Sequence, residues 1–225
     1  CGEKNVLFTN NDSAYETAIS LYQKGINVEA IIDNREETDS KLIKETEKNN
    51  IKVYKGYTVV DTYGYKRINK VSIMQLSKDG QKAIGSKISI SCDCLGISGG
   101  WTPAVHLFTQ SGGKLKFRDE DQVFIPNIYP SDQISIGSCN GDFTLDEILS
   151  TVPKTLKEFL NLKKIDYEDL EIKSSFNKSK RNIWLLPSDK IIGKTKPFVD
   201  YQNDATAKDI KLALREGFRS IEHVK

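Results

Sequence analysis

Near its start the chain carries a short apolar run, Val6-Leu7-Phe8, that passes directly into apolar residues at helical spacing: Ala14, Ala18, Leu21 and Tyr22. That pattern predicts a strand over Val6–Thr9 and a helix over about Ser13–Lys24. Ser13 and Glu16 have capping-box spacing, and Gly25 stands where a helix C-terminal glycine belongs. A second apolar run, through Ala30, Ile31 and Ile32, predicts a strand over Val28–Asp33. Neither run alternates with polar residues, as expected of strands covered on both faces, so the pair is expected to be parallel with a right-handed crossover. A more polar helix over about Thr38–Asn49 and a strand over Ile51–Tyr54 continue the unit.

From Tyr57 to Ile90 the period becomes two, in Tyr57–Tyr63, Val71–Leu76 and Lys87–Ser91, with turns at Tyr63-Gly64-Tyr65 and Lys78-Asp79-Gly80. This predicts an antiparallel meander beside the parallel sheet. Cys94–Ser98 reads as a returning buried strand that ends in Gly99-Gly100-Trp101-Thr102-Pro103. Next come a helix over about Ala104–Gln110, a Gly112-Gly113 turn, a polar stretch, a strand over Gln133–Ile136 and a helix over about Leu145–Asn161. Residues 166–182 are rich in charge, Ser and Asn and read as a linker; Ile183–Lys225 opens on Ile183-Trp184-Leu185-Leu186 and closes on a helical pattern. The fold class expected is α/β, a Rossmann-like parallel sheet with an antiparallel meander.

Composition narrows the function class. The chain has 225 residues, 38% hydrophobic and 28% charged, with 33 basic against 31 acidic side chains and net charge +2. That fits a globular chain of one or two domains with no broad basic field, so nucleic acid is not expected as a partner. No apolar run approaches the roughly 20 residues of a membrane span, so no membrane association is expected. The start, Cys1-Gly2-Glu3-Lys4 without methionine, reads as neither signal peptide nor initiator, so a piece of a longer protein is expected. Cys1, Cys92, Cys94 and Cys139 have no metal spacing with His106 or His223 and no disulfide framework, which suits a reduced, cytoplasmic setting. Cys92 and Cys94 read as core packing, and His106 as a packed or hydrogen-bonded side chain.

The candidate chemistry begins at the first strand-to-helix turn, Thr9-Asn10-Asn11-Asp12-Ser13-Ala14, where a dinucleotide fold places Gly-x-Gly-x-x-Gly/Ala. Thr9 and Asn11 replace the glycines that let backbone approach a pyrophosphate. Amides at the helix start near Asp12 and Ser13 are an anion site in principle, while the Asp12 charge opposes a phosphate. The other reading has Asn11, Asp12 and Ser13 only capping the helix. Asp33 ends the second strand about twenty residues on, where an acid bonds a ribose 2′-hydroxyl; a solvated loop acid is the alternative.

The turn through Ala18 resembles the G-G-G-D-S-A-x-E-x-A segment of thioredoxin-reductase and disulfide-reductase nucleotide domains, without its glycines. Cys92–Pro103 resembles their D-x-x-x-x-A-x-G-x-x-P-N segment, and Gly137–Gly141 their A-G-D element with Ser138 in place of Asp. A longer likeness covers nearly the whole chain. "FTNNDSAY", "SGGWTPAVHLFTQSGGKL" and "FVDYQNDATAKDIKLALREGFRSIEHVK" resemble the alpha subunit of heterotetrameric sarcosine oxidases. The resemblance implies a central fragment, expected to divide into a degenerate NAD(P)-type domain (1–110), a return segment of a split dinucleotide fold (111–165), a linker (166–182) and the start of a helical module (183–225). It implies NAD on the alpha subunit, FMN at the alpha–beta interface, FAD on beta, and gamma and delta subunits as further partners.

On that resemblance Gly137, Ser138 and Asn140 are candidate cofactor contacts beside Asn11, Asp12, Ser13 and Asp33. No catalytic or metal residue is expected in this segment. Asp200–Ile210 resembles a bacterioferritin-associated ferredoxin pattern in which Asp200 and Gln202 stand at cysteine positions. No iron–sulfur cluster is therefore expected, and Thr206 with Asp209 remains as a helix-capping pair. Two other readings stay open: an active NAD(P)H-dependent FAD oxidoreductase, which the missing glycines disfavour, and an interaction module that binds no nucleotide.

Overall fold

The structure is a computed structural model that describes residues 2–36, 41–130, 132–162, 182–188, 190 and 195–220. The start of the expected second helix (38–40), most of the expected linker and the end of the last block lie outside the described residues.

Strands β1 (Asn5–Thr9), β2 (Val28–Asp33), β3 (Lys52–Lys55) and β7 (Cys94–Ser98) form a parallel sheet in the order β3-β2-β1-β7. Alternation along β1 and β2 divides two cores. Leu7 and Ile31 face Tyr15 and Ala18 of α1 (Ser13–Gln23) and Ile43 of α2 (Lys41–Lys48). Val6, Phe8 and Ile32 face Val71, Ile73 and Cys92. Val71 and Ile73 belong to β5 (Ile68–Leu76), the central strand of an antiparallel sheet with β4 (Tyr57–Gly64) and β6 (Ala83–Ser91). Helices thus cover one face of the parallel sheet and the meander the other. This is why the first two strands are apolar throughout.

Local signals hold with two changes. At the end of α1, Ile26 N–H bonds Leu21 O and Gly25 N–H bonds Tyr22 O. Gly25 adopts the φ of 75° that such a cap requires. At its start the expected Ser13–Glu16 capping box does not form; Asn11 Oδ1 instead accepts from the Ser13 N–H at 3.1 Å. The returning strand β7 is half-buried rather than buried. Only β1 pairs with it among the described residues, and Ile97 is 71% exposed.

The middle of the chain differs more. The stretch expected to be merely polar forms a hairpin, β8 (Lys114–Arg118) with β9 (Val123–Ile128), and Arg118 is ion-paired to Asp121 beside the turn. The expected strand over Gln133–Ile136 forms no ladder; the chain runs into a 3₁₀ helix, Gly137–Asn140. Two flanking helices are the short α3 (His106–Gln110) and the 15-residue α4 (Leu145–Phe159). A Thr144–Glu147 capping box starts α4, and no residue of that helix is fully buried. His106 is exposed, not packed. Near the end, β10 (Phe198–Asp200) pairs with β11 (Ala205–Thr206) ahead of α5 (Ala207–Arg215). There the Thr206 N–H donates to the Asp209 carboxylate at 2.8 Å, as the sequence suggests.

Among the described residues Cys92, Cys94 and Cys139 are free, no cluster of His, Cys, Asp and Glu could hold a metal, and no helix is long and apolar enough to cross a membrane.

Candidate functional site

The C-terminal ends of β1 and β7 stand side by side, with Thr9 opposite Ser98. Here the strand order changes direction: β2 and β3 extend to one side of β1, and β7 to the other. Open α/β sheets bind ligands in the crevice beyond this point.

The turn that bounds the crevice is filled by its own side chains. Asn11 is 2% exposed. Its Nδ2 donates to the Ser98 carbonyl at 3.2 Å and to Ser98 Oγ at 3.1 Å. Its Oδ1 accepts from the Ser13 N–H at 3.1 Å and from Ser13 Oγ at 2.5 Å. The Asn11 N–H donates to Thr9 Oγ1 at 3.0 Å. Amides that a glycine turn would turn towards a phosphate are therefore engaged within the chain, and Asn11 and Ser13 occupy the approach. A pyrophosphate does not fit this turn without displacing them.

At the end of β2, Asp33 belongs to a buried cluster. Its carboxylate accepts from Tyr15 Oη at 2.8 Å, from the Arg35 N–H at 2.9 Å, and from Arg35 Nε and Nη2 at 3.0 and 2.7 Å. Arg35 Nη2 also reaches Asp12 Oδ1 at 2.8 Å. The side chains of Arg35, Asp12 and Asp33 are 10%, 1% and 0% exposed. Burial works against the Arg35 charge, but hydrogen bonds and charge from Asp33 and Asp12 outweigh it and raise the pKa above the ordinary arginine value. Burial first, and then the Asp33 carboxylate, push the Tyr15 hydroxyl far above the usual tyrosine range. Asp33 thus already has partners at the position where a ribose-binding acid would stand.

Asn11, Asp12, Ser13 and Asp33 share one hydrogen-bonded neighbourhood on β1, α1 and β2. Gly137, Ser138 and Asn140 lie apart from these elements in the 3₁₀ helix, where Gly137 is buried and Tyr129 Oη reaches Asn140 Oδ1 at 3.4 Å.

The open volume lies on the β7 side. A cavity of about 450 Å³ is bounded by Asn10, Gly99, Gly100, Trp101, Phe117, Phe124, Phe143, Asn182 and Trp184, among others. Asn10 Nδ2 bonds the Gly99 carbonyl at 3.0 Å and Asn182 Oδ1 at 3.1 Å. Asn182 Nδ2 bonds the Asp121 carbonyl at 3.2 Å, and Trp184 Nε1 bonds Gln122 Oε1 at 3.1 Å. These bonds join the sheet end, the β8–β9 hairpin and residues 182–184 around one space. Arg35, Tyr15, Trp101 and Trp184 were not legible as site residues. The Gly99-Gly100-Trp101 run after a strand was the available signal.

Comparison with known proteins adds to this geometry. The sarcosine oxidase A3 domain family matches residues 194–225. A sarcosine oxidase subunit alpha from Corynebacterium sp. (strain P-1) is 31% identical across 100% of this chain and 24% of its own length. The chain is similar along its whole length to sarcosine oxidase alpha subunits. A subunit alpha from Rhizobium meliloti (strain 1021) is 27% identical over 100% of the chain and 21% of its own length. The chain therefore spans about a quarter of the length of these relatives. Among solved structures, a T. acidophilum thioredoxin reductase superposes with TM-score 0.43 at 21% identity, over 62% of this chain and 48% of that one. An L-proline dehydrogenase from P. horikoshii gives TM-score 0.49 at 16% identity, over 100% and 39%. The α/β class here follows from the strand order itself, a parallel sheet flanked by antiparallel ones.

Proposed function

We propose that this chain is the central nucleotide-fold scaffold of a sarcosine-oxidase-type alpha subunit, and that it carries no catalytic side chain of its own. The observation that carries this reading is the end-to-end similarity to those subunits, joined to a nucleotide-type β-α-β unit whose turn is occupied by Asn11 and Ser13. In this proposal sarcosine is oxidatively demethylated by a cytoplasmic complex with beta, gamma and delta subunits, yielding glycine, hydrogen peroxide and a tetrahydrofolate-bound one-carbon unit. FAD on beta and FMN at the alpha–beta interface supply the redox chemistry. The alpha subunit holds NAD, to which Gly137, Ser138 and Asn140 contribute from this segment while Asn11, Asp12, Ser13 and Asp33 shape the scaffold. Arg35 supports that division of roles, because it already engages both carboxylates near the first turn.

The test is isolation of the native assembly through a tag on this chain. Co-purifying subunits and sarcosine-dependent peroxide release by the assembly, with none by the chain alone, are expected. A chain that purifies without partners and an isolate that releases no peroxide with sarcosine would overturn the proposal.

A further inference from the structure

The cavity beside β7 has a composition that the scaffold reading does not use. Trp101 and Trp184 are 61% and 73% exposed, yet both line it, and they are the two tryptophans of the chain. Large exposed indoles around a concavity mark a binding site more often than chance surface. Phe117 and Phe124 add a T-shaped pair with ring centroids 5.1 Å apart. No lysine, arginine or histidine is among the described lining residues, and the lining carboxylate, Asp121, is ion-paired with Arg118. The walls therefore offer stacking faces and amide edges but no cation for a phosphate. On the opposite side of β1, Arg35 bridges the buried carboxylates of Asp12 and Asp33.

We propose that this cavity is a stacking site for a planar, uncharged or cationic heteroaromatic ring, which Trp101 and Trp184 cover and whose edge the Gln122 and Asn182 amides meet. The ring enters from the β7 side, and Arg35 closes the β2 side, so a dinucleotide gains nothing over its ring-bearing half. The volume suits this class: about 450 Å³ falls in the range of small-molecule sites. The Trp184 indole is held in place by its bond to Gln122, and Asn182 by its bonds to Asn10 and the Asp121 carbonyl. The site is thus preformed rather than assembled on binding. It does not depend on the complex proposed above, because the described lining residues all belong to this chain.

Because both tryptophans line the cavity, intrinsic fluorescence of the chain reads it directly. Adenosine (a neutral ring), 1-methylnicotinamide (a cationic ring) and NAD would be titrated into the chain, with calorimetry in parallel. Saturable quenching by at least one ring probe is expected, weakened about ten-fold in Trp184→Ala, the scale of one lost stacking face. NAD is expected to bind within about three-fold of the better ring probe, a difference under about 1 kcal/mol. Trp101→Ala repeats the test at the second lining tryptophan should Trp184→Ala shift the urea midpoint. No saturable quenching by either ring, or quenching that both variants leave unchanged, would overturn the site. NAD binding more than ten-fold tighter than both rings would overturn the closure by Arg35. Each result is independent of sarcosine turnover, so failure here and failure of the assembly are separate outcomes.

Discussion

Replacing Arg35 with methionine probes the central device of the first unit, because it removes the guanidinium and leaves a side chain of similar reach. Arg35 bridges Asp33 at 2.7 Å and Asp12 at 2.8 Å, and the two carboxylates are 0% and 1% exposed. Water cannot replace the lost partner at such depth. Breaking a buried pair from one side costs about 3–5 kcal/mol, because a charge is left uncompensated. A domain of this kind has a total stability of about 5–15 kcal/mol, so Arg35→Met is expected to remove about a fifth or more of it. Tyr15 Oη and the Arg35 N–H still donate to Asp33 in the variant, which keeps the estimate near the lower figure. The assay is urea unfolding followed by far-ultraviolet circular dichroism, comparing midpoints at equal slope. A second variant, Arg35→Met with Asp12→Asn and Asp33→Asn, is expected to recover part of the loss, since neutral amides need less compensation than carboxylates. A loss below about 1 kcal/mol for Arg35→Met, the worth of an exposed ion pair, would refute the reasoning.

Three further outcomes follow from the same geometry. Tyr15→Phe removes the 2.8 Å bond to Asp33 and is expected to cost about 1–3 kcal/mol at neutral pH. The folded Tyr15 holds its proton more tightly than the unfolded chain, so its contribution is complete below about pH 10 and fades as pH rises beyond it. The gap between wild type and Tyr15→Phe should therefore narrow in denaturation series above that pH, and a constant gap would contradict the assignment. Thr144→Ala opens the capping box of α4, where Thr144 Oγ1 accepts from the Glu147 N–H at 3.4 Å, and should lower stability by about 1 kcal/mol in urea melts. Gly141→Ala should cost about 1–3 kcal/mol: its φ is 89°, and an added Cβ would lie 2.6 Å from Arg118 Nη2 and 3.1 Å from Ile125 Cγ2. An unchanged melting temperature there would mean that the hairpin yields freely.

The sequence by itself determined the elements whose signal is local. Val6–Phe8 and Ala30–Ile32 are apolar without alternation, and the meander alternates, because the first are covered on both faces and the second on one. Gly25 and the Thr206–Asp209 cap were legible because their partners lie within a helical turn. The hairpin over Lys114–Ile128 was missed because charged residues at Lys114, Lys116 and Arg118 mask an alternation of Leu115 with Phe117. Gln133–Ile136 carries alternating residues but no strand pairs with it among the described residues.

Tertiary structure alone decided the fate of the turn. Asn11 is held by Ser98, 87 residues away, and Asp12 by Arg35 from the far end of β2. The two tryptophans line one cavity only because the bonds of Asn182 and Trp184 draw residues 182–184 onto the hairpin and the end of β1. Hydrophobic periodicity reports which face of an element is buried, since that depends on spacing along one segment. Whether a polar turn is open to a ligand depends on which distant donors and acceptors arrive beside it. Only the folded chain places Ser98 and Arg35 there.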